Sequence, residues 1–403
     1  MIDLDRIYRA ERGRVLASLV RLLGSIELAE DALSEAFLEA ARSWEKSGIP
    51  QSPRAWLVSA GRFRTIDKLR KSGRFRELVA ELQRQVEEQP ETPQMDEVAD
   101  DTLRLIFTCC HPVLPVDQQV ALTLREICGL TTEEVAAAFL VKPATIAQRI
   151  VRAKARIRDA AIPYEVPEAT ERTERLDAVL HTIYLIFNEG YDASSGDGLI
   201  RHELTQEAVR LAHLVRQLHP CPDADGLLAL LLLHQSRARA RLTARGEIVL
   251  LEDQDRTLWD RDLIAEGTAL AQLSFARPPV STYTIEALIA STHAAAREWQ
   301  DTDWRRVVSL YDLLLAADPS PVVALNRAVA IAMRDGAAAV LPLVDALIAS
   351  DLSSYRFAYA ARADLLRRLG RAREARAAYE LAASLTAQDA ERRYLARRIA
   401  ELS

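Results

Sequence analysis

The sequence predicts an all-α protein built from several helical domains, and three observations support this prediction. Of the 403 residues 49% are hydrophobic, yet only 6% are aromatic and only 14 are Gly. Ala, Leu, Arg and Glu dominate the chain, and all four are strong helix formers. Apolar residues recur at the spacing of a helix face, and segments near the C-terminus repeat at the spacing of a helical-repeat protein. The length suffices for two or three domains with hydrophobic cores.

Residues 1–45 predict two or three helices, and the second of them is acidic. Its inward stripe consists of Leu33, Phe37, Ala40 and Trp44. The surrounding positions carry Glu27, Glu30, Asp31, Glu35 and Glu39. Such a helix is either an ordinary solvated surface or a docking face for a basic partner, and the pattern leaves both interpretations open.

A basic segment follows the breaks at Pro50 and Pro53. Residues 54–76 contain eight Lys or Arg and a single acid, Asp67, with the aromatic residues Trp56 and Phe63 among the charges. Cations that neutralise phosphates, next to rings that stack on an unpaired base, predict binding of single-stranded or melted DNA. Trp56 lies beside apolar residues, so we expect it in the core.

An acidic linker is predicted at residues 77–104. Its residues 87–101 hold seven acids, two prolines and no base, a composition that repels itself and stays extended. The linker separates two basic modules, which predicts a protein that contacts two DNA segments at a set spacing.

Residues 105–165 predict a helix-turn-helix. Thr131 and Glu134 have the spacing of a capping box, and Pro143 suits the first position of the next helix. The buried stripe of that helix is Ile146, Ile150, Ala153 and Ile157. Its polar side carries Lys142, Thr145, Gln148, Arg149, Arg152 and Lys154. A cationic face on the second helix favours DNA recognition in the major groove over a merely solvated surface.

Residues 166–280 predict a helical regulatory domain with clustered polar residues. The candidate regulatory contacts are Asp192, Asp197, His202, Glu203, Asp253, Asp255, Arg256 and Trp259. Their spacings match no metal-ligand pattern, so a structural polar network is favoured over an enzyme site. The adjacent Cys109, Cys110 and His111 are likewise expected to be packing residues rather than zinc ligands.

Residues 281–403 predict TPR-like helical repeats. Gly336 and Gly370 are separated by the tetratricopeptide period of about 34 residues, and Ala324 and Ala358 by the same spacing. In such repeats small residues allow neighbouring helices to stack. The array offers a groove for a peptide or protein partner and performs no chemistry.

Composition also limits the compartment and the cofactors. No apolar run is long enough for a membrane span and no leader precedes the first helix, so we expect a cytoplasmic protein without a membrane partner. Four cysteines do not form a disulfide framework. The net charge of -6 argues against indiscriminate nucleic-acid binding. We expect no cofactor, no metal and no catalytic residue.

Four motifs carry a resemblance to a known family. They are AEDALSEAF (residues 29–37), PRAWLVSAGRFRTIDKLRK (53–71), FTCCHP (107–112) and GLTTEEVAAAFLVKPATIAQRIVRAKARI (129–157). Residues 1–165 resemble a bacterial RNA polymerase sigma factor of the extracytoplasmic-function class, in the subgroup with a long C-terminal TPR-like extension. The resemblance implies region 2 at residues 1–76 and region 4 at residues 105–165.

The resemblance also implies roles for individual residues. Asp31, Glu35 and Phe37 would bind the β′ clamp of core RNA polymerase, and region 4 would meet the β flap. The -10 element of the promoter would be contacted by Arg62, Arg64, Asp67, Lys68 and Arg70. The helix beginning at Pro143 would read the -35 element, and the extension would regulate activity.

Two other functions compete with a sigma factor. One is a helix-turn-helix regulator with a TPR-like sensor that binds DNA without polymerase. The other is a hydrolase or metal enzyme fused to a DNA-binding domain. Co-purification with core polymerase separates the first alternative from a sigma factor, and metal analysis would reveal the second.

Overall fold

The described residues of the computed structural model are 4–72, 95–139, 141–192, 200–386 and 388–402. Within these ranges helices are joined by turns and loops, and an isolated antiparallel bridge pairs Leu242 with Ile248. The predicted all-α class is confirmed. The chain forms two compact units that divide after Ile183. Among the described helices, none is both long and apolar enough to cross a bilayer.

The first unit contains seven complete described helices and the beginning of an eighth. They are α1 (Leu4–Leu23), α2 (Ile26–Ser47), α3 (Pro53–Ser72), α4 (Met95–Cys109), α5 (Val116–Glu126), α6 (Thr132–Ala138), α7 (Pro143–Asp159) and α8 (Ala169–Tyr191).

Helix α1 is central to the N-terminal part of this unit, where it packs against α2, α3 and α4. The predicted stripe of α2 is confirmed, because Leu33, Phe37, Ala40 and Trp44 are all buried. Helices α2 and α3 approach closely at Gly61, where a Cβ atom would lie 2.8 Å from the carbonyl oxygen of Ala32. Any larger residue at position 61 would force these two helices apart.

The acidic segment differs from its sequence expectation at its C-terminal end. Its residues 95–101 form the start of α4 rather than an extended tether. Buried Asp101 pairs with Arg21 of α1 at 2.8 Å and with Arg104 at 3.0 Å, which stabilises the helical conformation despite the local acidity. Residues 77–94 of the predicted linker lie outside the described residues.

The second unit contains the rest of α8 and the helices that follow it. They are α9 (His202–Leu218), α10 (Pro222–Gln235), α11 (Arg261–Phe275), α12 (Thr282–Ala295), α13 (Trp304–Ala317), α14 (Pro321–Asp335), α15 (Leu341–Ser350), α16 (Arg356–Arg368), α17 (Ala372–Leu385) and α18 (Asp389–Ala400).

Helix α10 is buried on every side by α9, α11 and α12. Its residues 227–233 are almost all Leu, and each is at most 1% exposed. Gly226 permits α10 to approach α12 closely, because a Cβ atom at position 226 would lie 2.3 Å from Oγ1 of Thr284 in α12. The apolar helix therefore forms the core of residues 200–295.

Consecutive helices from α13 to α18 pack against one another. Gly336 and Gly370 lie just beyond the ends of α14 and α16, with positive φ angles of 96° and 73°. Glycine tolerates this left-handed region at least cost, which explains its use just after each of these two helices. The arrangement supports the predicted TPR-like repeats, which stay a prediction.

Candidate nucleic-acid interface

The local chemistry of the helix-turn-helix is as the sequence predicts. The hydroxyl of Thr131 accepts a hydrogen bond from the amide of Glu134 at 3.0 Å, and the Glu134 carboxylate accepts one from the amide of Thr131 at 2.7 Å. This reciprocal capping box starts α6. Pro143 occupies the first turn of α7, and the predicted stripe from Ile146 to Ile157 is buried. Helix α7 packs against both α5 and α6.

The outer face of α7 presents most of the predicted DNA-binding residues. Lys142, Thr145, Gln148 and Arg152 are exposed. Arg156 is also exposed, one turn beyond Arg152 on the same face. Arg156 is not among the predicted DNA contacts, although its spacing of four from Arg152 is a signal that could have identified it.

Arg149 is half-buried and is already paired within the unit. Its Nε lies 3.1 Å from Oδ2 of Asp117, at the start of α5. Because Asp117 is 50% exposed, this is a surface ion pair, which contributes at most about 1 kcal/mol. A phosphate group could therefore replace Asp117 as the partner of Arg149 at small cost.

Lys154 is placed differently from the other cations of α7. It is 11% exposed, and its Nζ lies 2.5 Å from a carboxylate oxygen of Glu30 and 3.0 Å from one of Glu126. Glu126 is fully buried and also pairs with Arg12 at 3.0 Å. These four residues, called the ion network here, join α1 and α2 to α5 and α7. In this arrangement Lys154 does not present its charge to solvent.

The ion network shifts the pKa values of its members. Burial alone would raise the pKa of Glu126, but the adjacent charges of Lys154 and Arg12 lower it below its usual value. Burial likewise opposes the charge on Lys154, while Glu126 and Glu30 raise its pKa. The pKa of Glu30 is raised by burial and then by the Glu126 charge. Glu126 is therefore the carboxylate that holds both buried cations.

Close backbone packing reinforces the ion network. A Cβ atom on Gly13 would lie 2.5 Å from the carbonyl oxygen of Ile127, just beyond α5. The neighbouring Arg12 guanidinium also donates to the carbonyl of Arg125 at 2.5 Å and to the Tyr8 hydroxyl at 3.1 Å. The N-terminal helices and the helix-turn-helix thus pack directly together within the first unit.

Helix α3 carries the residues predicted to contact melted DNA. Phe63 is 62% exposed, whereas Trp56 packs edge-on against Trp44 with ring centroids 5.2 Å apart. Exposed Arg64 pairs with half-buried Glu39 at 2.6 Å. The exposed Phe63 ring and its cationic neighbour are the combination expected for holding an unstacked base.

The other residues predicted for -10 DNA lie on the same helix. Arg62 is half-buried, and burial together with the charge of Arg21 lowers its pKa. Asp67 is exposed. Lys68 and Arg70 belong to α3, but their side chains lie outside the described residues.

The predicted polymerase-binding residues divide into two kinds. Asp31 and Glu35 are exposed on the acidic face of α2. Phe37 is 8% exposed and packs edge-on against Tyr8, with centroids 4.9 Å apart. Phe37 therefore supports the helix from its inner face rather than offering a contact surface.

Three of the candidate regulatory residues take part in packing within the second unit. Asp192 lies 3.8 Å from Arg241 and 3.9 Å from Arg356, so it links α8 to α16. The buried Arg256 guanidinium lies over the Trp259 ring at 4.6 Å and donates to the backbone carbonyl of Ala296. These contacts agree with the predicted polar network that fixes loop against helix.

The remaining candidates are exposed or not described. Asp255 caps a short 3-10 helix by accepting from the amide of Thr257 at 2.9 Å. His202, Glu203 and Asp253 are exposed. Asp197 lies outside the described residues.

The cysteine pair behaves as core residues. Cys109 and Cys110 are both buried. Burial raises the pKa of Cys109 well above its ordinary value and that of Cys110 to about 11, which favours the neutral thiol. Within the described ranges, no group of three potential ligands is suitably placed for a metal ion.

The comparisons with known proteins match three consecutive parts of the chain. Residues 7–75 match Sigma-70 region 2, residues 104–157 match Sigma-70, region 4, and residues 175–275 match a family of unknown function (DUF6596).

Two relatives show how far the similarity extends. Uncharacterized protein R00370 of Rhizobium meliloti (strain 1021) is 43% identical over 398 residues, which are 97% of this chain and 94% of that protein. The ECF RNA polymerase sigma factor SigE of Mycolicibacterium smegmatis (strain ATCC 700084 / mc(2)155) is 30% identical over 157 residues. That alignment covers 38% of this chain and 60% of the relative.

Proposed function

Because the chain belongs to the sigma-70 family of sigma factors, we propose that it binds core RNA polymerase and directs it to promoters with two spaced elements. The observation that carries this proposal is the presence of both regions in one compact unit, with exposed cations on α7 and with the exposed Phe63 ring beside Arg64 on α3. A regulator that acts without polymerase would have no need for region 2.

The -35 element is assigned to the outer face of α7. Gln148 and Arg152 are exposed there and have the chemistry for base and phosphate contacts. Arg149 would exchange Asp117 for a phosphate. The -10 element is assigned to α3, where the exposed Phe63 ring would stack on a base displaced from the duplex.

We assign the contact with core polymerase to the exposed acidic residues of α2. Asp31 and Glu35 face solvent next to Glu30, whose carboxylate is engaged by Lys154. Release of Lys154 would free a cation on α7 for DNA and a carboxylate on α2 for polymerase at the same time. We therefore treat the packed arrangement of the first unit as a closed form that opens when polymerase and promoter bind.

Transcription in vitro with purified core polymerase tests the function. The template is DNA selected by genomic pull-down with the full chain, and specific initiation is the expected result. Initiation that is no higher than with core polymerase alone would refute the sigma-factor role.

Gly13→Ala tests the closed form without removing a charge. The added methyl group clashes with the Ile127 carbonyl in the closed form, while Ala favours the helix itself by about 1 kcal/mol over Gly. We expect Gly13→Ala to increase transcription several-fold at limiting protein. Arg14→Ala, on the adjacent exposed position of α1, is the matched control. A stable Gly13→Ala protein with reduced transcription would show that close packing belongs to the active form.

The C-terminal extension is proposed to regulate the sigma regions. Helix α8 supports this, because Thr182 donates to the Gln119 side chain at 3.0 Å and Arg175 to the carbonyl of Phe107 at 3.1 Å. A truncation after Ile183 keeps both contacts, whereas one after Pro167 would remove them. Transcription by the longer truncation, compared with the full chain, tells whether the extension inhibits or activates. Equal transcription by the full chain and by the truncation after Ile183 would contradict a regulatory role of the extension.

A further inference from the structure

The second unit contains an apolar cavity that the sigma-factor function does not use. Its volume is about 350 Å³. The walls come from α14, α16, α17 and α18 and from residues 248–252. Apolar and aromatic side chains form most of the lining, among them Leu250, Met333, Phe357, Ala361 and Leu395.

The charged groups at the edge of this cavity are engaged with one another. Arg356 pairs with Glu391 at 2.7 Å. Arg368 pairs with Glu252 at 2.8 Å and with Asp364 at 2.6 Å. A charged ligand would have to compete with these existing ion pairs, so the cavity selects for a neutral one.

The size and lining narrow the class of ligand further. Sites for small molecules typically enclose about 300 to 1,000 Å³, and this cavity lies at the lower end of that range. The rings of Trp299, Phe357 and Tyr394 and the sulfur of Met333 interact favourably with aromatic groups. A peptide would bring backbone amides and carbonyls that need polar partners, and the charged side chains here are already paired.

We propose that this cavity is a binding site for a neutral, apolar small molecule, with an aromatic ring as its preferred group. This occupant differs from the peptide expected of a TPR-like groove. The inference concerns the second unit alone and does not depend on the polymerase partner. Bound ligand would stabilise the contacts between residues 248–252 and α16 to α18.

The probe is N-phenyl-1-naphthylamine, a neutral aromatic dye that fluoresces strongly in apolar surroundings. When the dye is titrated into the full chain, its fluorescence should increase saturably and shift to the blue, with one binding site per chain. Ala361→Trp fills the cavity and should abolish the saturable signal. Ala346→Trp, at an exposed position of α15 outside the lining, adds the same fluorophore and should bind as the original chain does.

A second pair of variants covers the case in which Ala361→Trp fails to fold. Phe357 is 36% exposed at the cavity, so its truncation to Ala should leave the fold intact and weaken binding about tenfold through loss of the ring contact. Leu343→Ala, at a position 42% exposed and outside the lining, is its control. The absence of saturable binding, or equal affinity in Phe357→Ala and Leu343→Ala, would overturn the proposal.

Discussion

Replacing Glu126 by Gln should destabilise the first unit more than any change at an exposed ion pair. Gln has the same shape but no charge, so the substitution leaves Arg12 and Lys154 without the carboxylate that they share. Both cations are largely shielded from water, with side-chain exposures of 2% and 11%. The effect should appear in the packing of α1 against α5 and α7.

The magnitude follows from what remains after the change. Removing one member of a buried ion pair typically costs about 3 to 5 kcal/mol. Here Lys154 keeps Glu30 at 2.5 Å, and Arg12 keeps the Arg125 carbonyl and the Tyr8 hydroxyl. We therefore expect Glu126→Gln to lower the free energy of unfolding by about 3 kcal/mol, the lower end of this range.

Hydrogen exchange measured by mass spectrometry on the full chain reports this loss. Peptides from α1 and α7 should exchange about a hundredfold faster in Glu126→Gln, since about 1.4 kcal/mol corresponds to a factor of ten. The control is Glu39→Gln, which removes the exposed pair with Arg64 and should cost less than about 1 kcal/mol. Equal exchange in the two variants would refute the inference that the ion network holds the first unit together.

Three further predictions follow from single residues. Burial and then the charge of Asp318 raise the pKa of Glu286 to about 7, so its contribution to stability is complete below about pH 4.5 and is lost as pH rises through 7. In the original chain this loss lowers the free energy of unfolding in urea by roughly 3 kcal/mol between pH 4.5 and 8, and Glu286→Gln should abolish it. Arg152→Ala should weaken promoter binding and lower the slope of log affinity against log salt concentration by about one, because one phosphate contact is lost. Phe63→Ala should reduce promoter opening, measured by permanganate reactivity, while leaving binding to closed duplex nearly unchanged.

Each of these predictions has an outcome that contradicts it. A parallel pH dependence of unfolding in Glu286→Gln and the original chain would show that Glu286 titrates normally. An unchanged salt slope would mean that Arg152 meets no phosphate. Leu38→Ala, which also alters an exposed apolar residue, is the control for Phe63→Ala. If the two variants open promoters equally, the proposal that Phe63 stacks on a base is wrong.

The sequence predicted those parts of the site that depend on local spacing. The capping box at Thr131 and Glu134 and the stripe from Ile146 to Ile157 involve residues within a few positions of one another, where helix geometry decides the outcome. Trp56, which we expected in the core, is half-buried and packs its ring against the buried Trp44.

The pairing of Lys154 could not be predicted in this way. Its partner Glu30 is 124 positions away in sequence, and no periodic pattern relates residues at that distance. On the helix surface Lys154 looks like one more cation of a DNA-binding face. Only the packing of α1 and α2 against α5 and α7 distinguishes it from Arg152.

The apolar run at residues 227–233 of α10 has a consequence for how the protein is made. During synthesis α10 leaves the ribosome before α11 and α12, so only α9 can cover its leucines until residue 295 has emerged. A nascent chain paused in that interval would expose a continuous hydrophobic surface and become a target for chaperones. Codon changes that slow translation between residues 236 and 295 should therefore lower the soluble yield without altering any amino acid.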